Sequence, residues 1–202
     1  MLGAANMKII KISSRVMRNA AALLKNGGVL VYPTDTAYAL GADPANHKAV
    51  LKIYKIKSRA KAKALPLIAA SPEMVKKFFK MNQAEEKLVK KYWPGPLSIV
   101  LDSRSKTLGA KSIAVRVPKN QVARELSKRL NRPIISTSAN IAGAGECYSA
   151  KKVFDQFKDR KFKPDLVLWS SNLRKIKPST IIQIDNGKII VLRKGSIKPI
   201  WK

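Results

Sequence analysis

One histidine, one cysteine and twelve acidic residues are all that this 202-residue chain offers to acid–base, thiol or metal chemistry. The lone histidine, His47, falls at the start of a helical pattern and reads as a surface or capping residue. The lone cysteine, Cys147, excludes an internal disulfide and a cysteine-rich metal site, and it places the chain in a reducing, cytoplasmic setting. No H-E-x-x-H pair, no Cys/His cluster and no G-x-S-x-G elbow occurs, and the Walker and dinucleotide glycine fingerprints are missing. A resident metal is therefore not expected. No apolar run approaches the roughly 18 residues of a membrane span, and the first eight residues carry no apolar signal core. Aromatic residues make up 6% of the chain and are scattered.

Positive charge, in contrast, is abundant. Lys and Arg number 41, for a formal net charge of +29. Such an excess favours polyanionic partners, nucleotides or RNA among them. A hydrophobic content of 46% is enough for one domain with a sizeable core. Residues 1–8 read as an N-terminal extension, a tag remnant or an alternative start, and residues 9–202 as a single domain.

Helical periodicity predicts helices over 13–26, 48–56, 72–79, 83–92, 121–130 and 150–157. Apolar runs predict strands over 29–32, 65–70, 97–101, 113–117, 134–135, 165–169, 179–185 and 188–193. The Asn186-Gly187 dipeptide between the last two is a hairpin signal. Interleaved helices and strands make the class α/β, and the closing hairpin makes the sheet mixed parallel and antiparallel.

Lys55, Lys57, Arg59, Lys61 and Lys63 carry positive charge at every second position. In an extended segment alternate side chains project to one side, so five cations could line one surface and meet a phosphate tail. The plainer reading is a solvated lysine-rich loop. Hydroxyl- and cation-rich loops follow or flank other strands: Pro33–Thr36 (PTDT), Ser136–Asn140 (STSAN), Lys177–Thr180 and Arg193–Gly195. Each could be an ordinary turn. Together, at strand ends, they suit a crevice that holds phosphate and carboxylate oxygens without itself reacting.

These residues resemble the YrdC/TsaC-type threonylcarbamoyl-AMP synthases. The likeness runs through GGVLVYPTDTAYALG (27–41), IYKIKSRAKAKALPLIA (53–69), YWPGPLSIVL (92–101), SIAVRVP (112–118), RPIISTSANIAG (132–143), KPSTII (177–182) and VLRKGSI (191–197). It implies a twisted, mixed open sheet with flanking helices around a basic cavity. It also implies an enzyme that makes threonylcarbamoyl-AMP and pyrophosphate from L-threonine, bicarbonate or CO2, and ATP with Mg2+. That product serves the modification of adenosine 37 in tRNA, which a separate threonylcarbamoyl transferase complex completes.

By resemblance, Lys57, Arg59, Ser138 and Asn140 are the catalytic set. Arg59, Lys63, Ser112, Ser138 and Arg193 face ATP. Thr34, Thr36, Arg116, Ser136 and Ser179 face threonine, Arg116 meeting its carboxylate. The chain departs from the family at Ala39, where glycine is usual, and at Ala60, where proline follows the KxR pair. Tyr38-Ala39-Leu40 is shared with a paralogous branch that lacks an intact KxR and SxN set. The C-terminal SIKPIWK leaves no room for the extra domain of longer synthases, so a short form is expected. The competing readings are a non-catalytic RNA-binding protein of the same fold and a paralogue with a different activity.

Overall fold

The computed structural model describes residues 7–60 and 64–200. Among the described residues six α-helices form where caps and apolar stripes coincide. Ser13 caps α1 (Ser14–Lys25) and Asn46 caps α2 (His47–Lys57), each side chain accepting a backbone N–H of the first turn. Ser71 caps α3 (Pro72–Phe78), with Pro72 in the first turn where its missing N–H costs nothing. Asn82 and Glu85 form a reciprocal capping box at α4 (Gln83–Tyr92). Asn120 and Ser149 cap α5 (Gln121–Leu130) and α6 (Ala150–Phe157). His47 is exposed as the first residue of α2, in keeping with a surface role.

The strands build two hydrogen-bonded sheets. The first sheet holds β1 (Lys8–Lys11), β2 (Leu30–Pro33), β3 (Tyr38–Gly41), β8 (Thr137–Ser138) and β9 (Leu166–Trp169), in the order β1-β9-β2-β3-β8. β1 and β2 run parallel to β9, whereas β3 is antiparallel to both β2 and β8. The second sheet holds β4 (Leu67–Ile68), β5 (Leu97–Asp102), β6 (Ser112–Arg116), β7 (Ile134–Ile135), β10 (Thr180–Asp185) and β11 (Lys188–Arg193), in the order β11-β10-β5-β6-β4-β7. Both sheets mix parallel and antiparallel pairs, as the closing hairpin led one to expect. At that hairpin Asn186 and Gly187 both take positive φ, +46° and +72°, the geometry of a type I′ turn.

Tyr32, Tyr38, Leu30, Leu40, Leu67 and Ile68 are nearly or wholly inaccessible. Strands buried on both faces read as continuous apolar runs, not as alternation. The larger hydrophobic cluster joins Met7, Val29, Leu97, Phe157 and Ile182. Ser136 alone separates β7, in the second sheet, from β8, in the first.

Several sequence expectations change. Lys8, placed in the N-terminal extension, opens β1, a strand the sequence reading lacks. β3 was unforeseen as well, and the 65–70 strand shrinks to Leu67–Ile68. The segment 55–63 is not one extended cationic edge. α2 continues through Lys57 and stops only at Ser58, whose left-handed φ of +50° ends the helix. Residues two apart on a helix point roughly 200° from each other. Lys55 accordingly lies over the Phe162 ring, 5.0 Å from its centroid, while Lys57 turns the other way. Lys61 and Lys63 lie outside the described residues.

Candidate active site

A cavity of about 780 Å³ is walled by residues of both sheets and by the α2 C-terminus. Lys57, Arg59, Ser112, Ser138, Asn140 and Arg193 line it, together with Thr34, Thr36, Arg116, Ser136 and Ser179. The structure thus brings together every predicted site residue that it describes; Lys63 is outside the described residues. Ala39 is in the wall, paired with Ser138 across β3 and β8, so the methyl that replaces the usual glycine borders the cavity.

Lys57 is 3% exposed, and its ammonium is held on three sides. It donates to the Ser138 carbonyl at 2.6 Å, the Asn140 carbonyl at 2.8 Å and Asn140 Oδ1 at 3.2 Å. An ammonium has three N–H donors, and all three are engaged. The Lys57 carbonyl in turn accepts from Ala142 N at 2.8 Å, and Asn140 Nδ2 donates to the Ala144 carbonyl. Lys57 therefore clamps the 138–142 loop to the end of α2. Burial, and secondarily the nearby Arg59 charge, pushes its pKa down to about 8. Arg59, half-buried, presents its guanidinium to the cavity with one long bond to the Ala64 carbonyl.

At the opposite side Arg116 ends β6 almost completely buried. Its Nη1 donates to both Asp35 carboxylate oxygens, at 2.7 and 2.9 Å, and to the Gly95 carbonyl at 3.3 Å. Nη2 reaches toward Thr36 Oγ1 at 3.5 Å. One face of the guanidinium is thus fixed and the other left for a carboxylate. Thr34 serves the loop itself. Its hydroxyl donates to the Ala37 carbonyl at 2.6 Å and accepts from the Thr36 and Ala37 amides, a local turn that competes with strand pairing. Thr36 and Ser136 also line the cavity, and the Thr36 hydroxyl lies 3.1 Å from Thr34 Oγ1.

Arg193 Nε and Nη2 hold the Ser179 carbonyl at 3.1 and 2.9 Å, and Nη2 also reaches Ser179 Oγ at 2.9 Å. Ser179 Oγ in turn lies 3.1 Å from Ser98 Oγ. Burial lowers the Arg193 pKa. Ser112 is exposed at the rim and donates to Asp102.

Three contributors escaped the sequence reading. Asp35 sat inside PTDT without a role, Ser98 lay in a strand, and Glu146 lay in a glycine-rich loop. Glu146 lines the cavity and accepts from the Tyr148 hydroxyl at 3.0 Å. It is the one carboxylate in the described lining. A carboxylate within PTDT, with a buried arginine at the end of another strand, was the signal available for Asp35. Among the described residues no cluster of three His, Cys, Asp or Glu could hold a resident metal, and no helix is long and apolar enough to cross a membrane.

Residues 22–195 match the Sua5/YciO/YrdC family model, whose description reads telomere recombination. A threonylcarbamoyl-AMP synthase of Chromobacterium violaceum is 33% identical over 183 residues, 88% of this chain and 93% of its own length. The structure of P. abyssi Sua5 complexed with L-threonine superposes with a TM-score of 0.85 at 31% identity over 94% of this chain. The chain spans 58% of that protein's length. E. coli YciO superposes with a TM-score of 0.82 at 25% identity, covering 94% of this chain and 96% of its own. With 174 consecutive residues under the family model and a shared fold, the chain belongs to the Sua5/YciO/YrdC family.

Proposed function

We propose that the protein is an L-threonylcarbamoyladenylate synthase, joining L-threonine, bicarbonate or CO2, and ATP into threonylcarbamoyl-AMP and pyrophosphate. The observation that carries this reading is the single cavity that gathers Lys57, Arg59, Ser138, Asn140 and Arg193 with Thr36, Arg116, Ser136 and Ser179. Relatives named threonylcarbamoyl-AMP synthase and a relative bound to L-threonine support it.

In this reading the free face of Arg116 takes the threonine carboxylate, and Thr36, Ser136 and Ser179 orient the rest of the amino acid. Arg59, Arg193, Ser138 and Asn140 take the triphosphate. Ser112 lies at the rim on the same side, and Lys63 is assigned to the nucleotide by resemblance. Mg2+ enters with ATP, held by phosphate oxygens. The threonine nitrogen, once deprotonated, bonds to the CO2 carbon. A carbamate oxygen then attacks the α-phosphorus, and pyrophosphate leaves with the electrons of the broken P–O bond. No protein nucleophile is required: the chain supplies orientation and charge neutralisation. Lys57 acts through the loop it clamps, so it is a positioning residue, whereas Arg59 meets the phosphates.

We place the chain from Met7 onward in one domain and the protein in the cytoplasm, with tRNA and a threonylcarbamoyl transferase complex as downstream partners. The continuous hydrophobic cluster supports the first and the net charge of +29 supports an RNA partner. The second reading is a YciO-like activity, favoured by the near full-length match to E. coli YciO. Pyrophosphate release with MgATP decides. Release that requires both threonine and bicarbonate, and is lost in Arg59→Ala, supports the synthase. Release independent of threonine, or none, favours the second reading.

A further inference from the structure

A second concavity, of about 370 Å³, lies on the other side of α2 and shares no lining residue with the first. Lys48, Lys52 and Lys55 contribute from one face of α2, at helical spacings of four and three residues. Lys161, Phe162 and Lys163 contribute from the loop after α6. The three helix lysines span about 10 Å along the axis, a length that several phosphates of one strand occupy.

The charge in this groove is unbalanced. Asp165 is its one carboxylate, and it is consumed by Lys52 at 2.6 Å and by the Val29 amide at 2.8 Å. Asp159 in the same loop points to solvent, 4.0 Å from Lys158. Lys163 donates to the Lys158 carbonyl and Arg160 to Ser58 Oγ, which fix the loop against the end of α2. Phe162 is 37% exposed, a large aromatic ring left in the middle of four lysines that no carboxylate offsets. The ammonium groups of Lys55 and Lys161 stand 5.0 and 5.9 Å from its centroid.

A flat apolar surface inside a cationic channel fits a ligand that alternates aromatic planes with negative charges. Single-stranded nucleic acid has that chemistry: bases stack on aromatic side chains while lysines track the backbone. We propose that the groove between α2 and residues 160–163 binds single-stranded RNA, with one base against Phe162 and phosphates on Lys48 and Lys55, the two α2 lysines that Asp165 does not neutralise. This deepens the RNA-partner part of the proposed function and does not depend on adenylate synthesis. Because the groove and the active-site cavity lie on different sides of α2, RNA and ATP are bound together without competing.

The test uses full-length protein and a fluorescein-labelled, mixed-sequence 12-nucleotide RNA followed by anisotropy. Phe162→Ala weakens binding by about tenfold, within the range of one lost base–aromatic stack, while Phe162→Tyr binds like wild type. Lys48→Gln/Lys55→Gln lowers the slope of log K against log salt by about 1.4, as two lost phosphate contacts on a single strand require. Pyrophosphate release is unchanged in all three variants, which separates this site from the synthase reading. A control pair on α4, Lys87→Gln/Lys90→Gln, leaves the slope unchanged. Wild-type affinity in Phe162→Ala overturns the proposal. So does an equal slope change in the α4 control, which would mean diffuse attraction, or displacement of the RNA by MgATP. If Phe162→Ala instead reduces sedimentation with phosphatidylserine-containing vesicles and spares RNA affinity, the groove is a membrane contact and the proposal falls.

Discussion

Replacing Lys57 by methionine keeps the unbranched stem as far as Cε and removes the ammonium with its three donors. Two of the acceptors it satisfies, the Asn140 carbonyl and Oδ1, are buried, and each is left without a partner. An unsatisfied buried acceptor costs about 1–3 kcal/mol, and relief of the buried ammonium offsets part of that. The net loss is about 1–3 kcal/mol, a fall in Tm of roughly 2–10 °C for a chain of this size. The larger effect is local. Without the clamp the 138–142 loop shifts, and a misplacement of about 1 Å costs on the order of 100-fold in rate. Pyrophosphate release and the affinity for a non-hydrolysable ATP analogue are the assays. Protonation gives a second readout. Above the pKa of about 8 the neutral amine has two N–H groups for three acceptors, so analogue affinity falls as pH rises through 8 in wild type and stays flat in Lys57→Met. Stability moves the other way. The native state releases this proton near pH 8 while the unfolded chain keeps it to about 10.5, so this group's contribution rises between those values. Lys57→Arg retains the charge but cannot fit a three-point cradle built for an ammonium. Wild-type rates in Lys57→Arg would refute the clamp and make Lys57 a simple counter-charge.

Asp35→Asn leaves the buried Arg116 guanidinium without a counter-charge, lowers stability by about 3–5 kcal/mol, and raises the KM for threonine while sparing that for ATP; steady-state kinetics and thermal melting check both. Ser98→Ala removes one hydrogen bond, worth about 1 kcal/mol, from the Ser98–Ser179–Arg193 chain, and a threonine titration shows a KM raised by a few fold at nearly unchanged kcat. In Gly195→Ala the added methyl would stand 2.3 Å from the Pro178 carbonyl oxygen and 2.4 Å from Ser179 C. The backbone must move, so urea unfolding shows a loss of about 1–3 kcal/mol, and the rate falls because Arg193 is two residues away.

Helices that were capped by a polar side chain and carried a clean apolar stripe were legible to the residue: α4, α5 and α6 match their expected bounds. β3 was not, because Tyr38-Ala39-Leu40-Gly41 is buried throughout and shows no alternation after the PTDT turn. β1 hid for the opposite reason, an exposed edge strand of four residues whose KIIK lacks a buried face. The alternating cations at 55–63 misled because alternation implies one face only in a strand, and α2 runs on to Lys57. At the site, loop motifs revealed which hydroxyls and cations gather. They could not reveal which of them are spent on the protein itself: Thr34 on its own turn, Lys57 on the 138–142 loop, one face of Arg116 on Asp35.

The one-residue joint at Ser136 has a consequence for how the two substrates sense each other. β7 and β8 are each tied into their own ladder, so a change in the gap between the sheets would turn the backbone torsions around this residue. Threonine held at Ser136 would restrict those torsions and, two residues later, the orientation of Ser138 presented to ATP. Binding free energies are then linked: whatever factor threonine adds to nucleotide affinity, the nucleotide adds to threonine affinity. A one-residue joint would place that linkage in a single peptide unit on each side of Ser136.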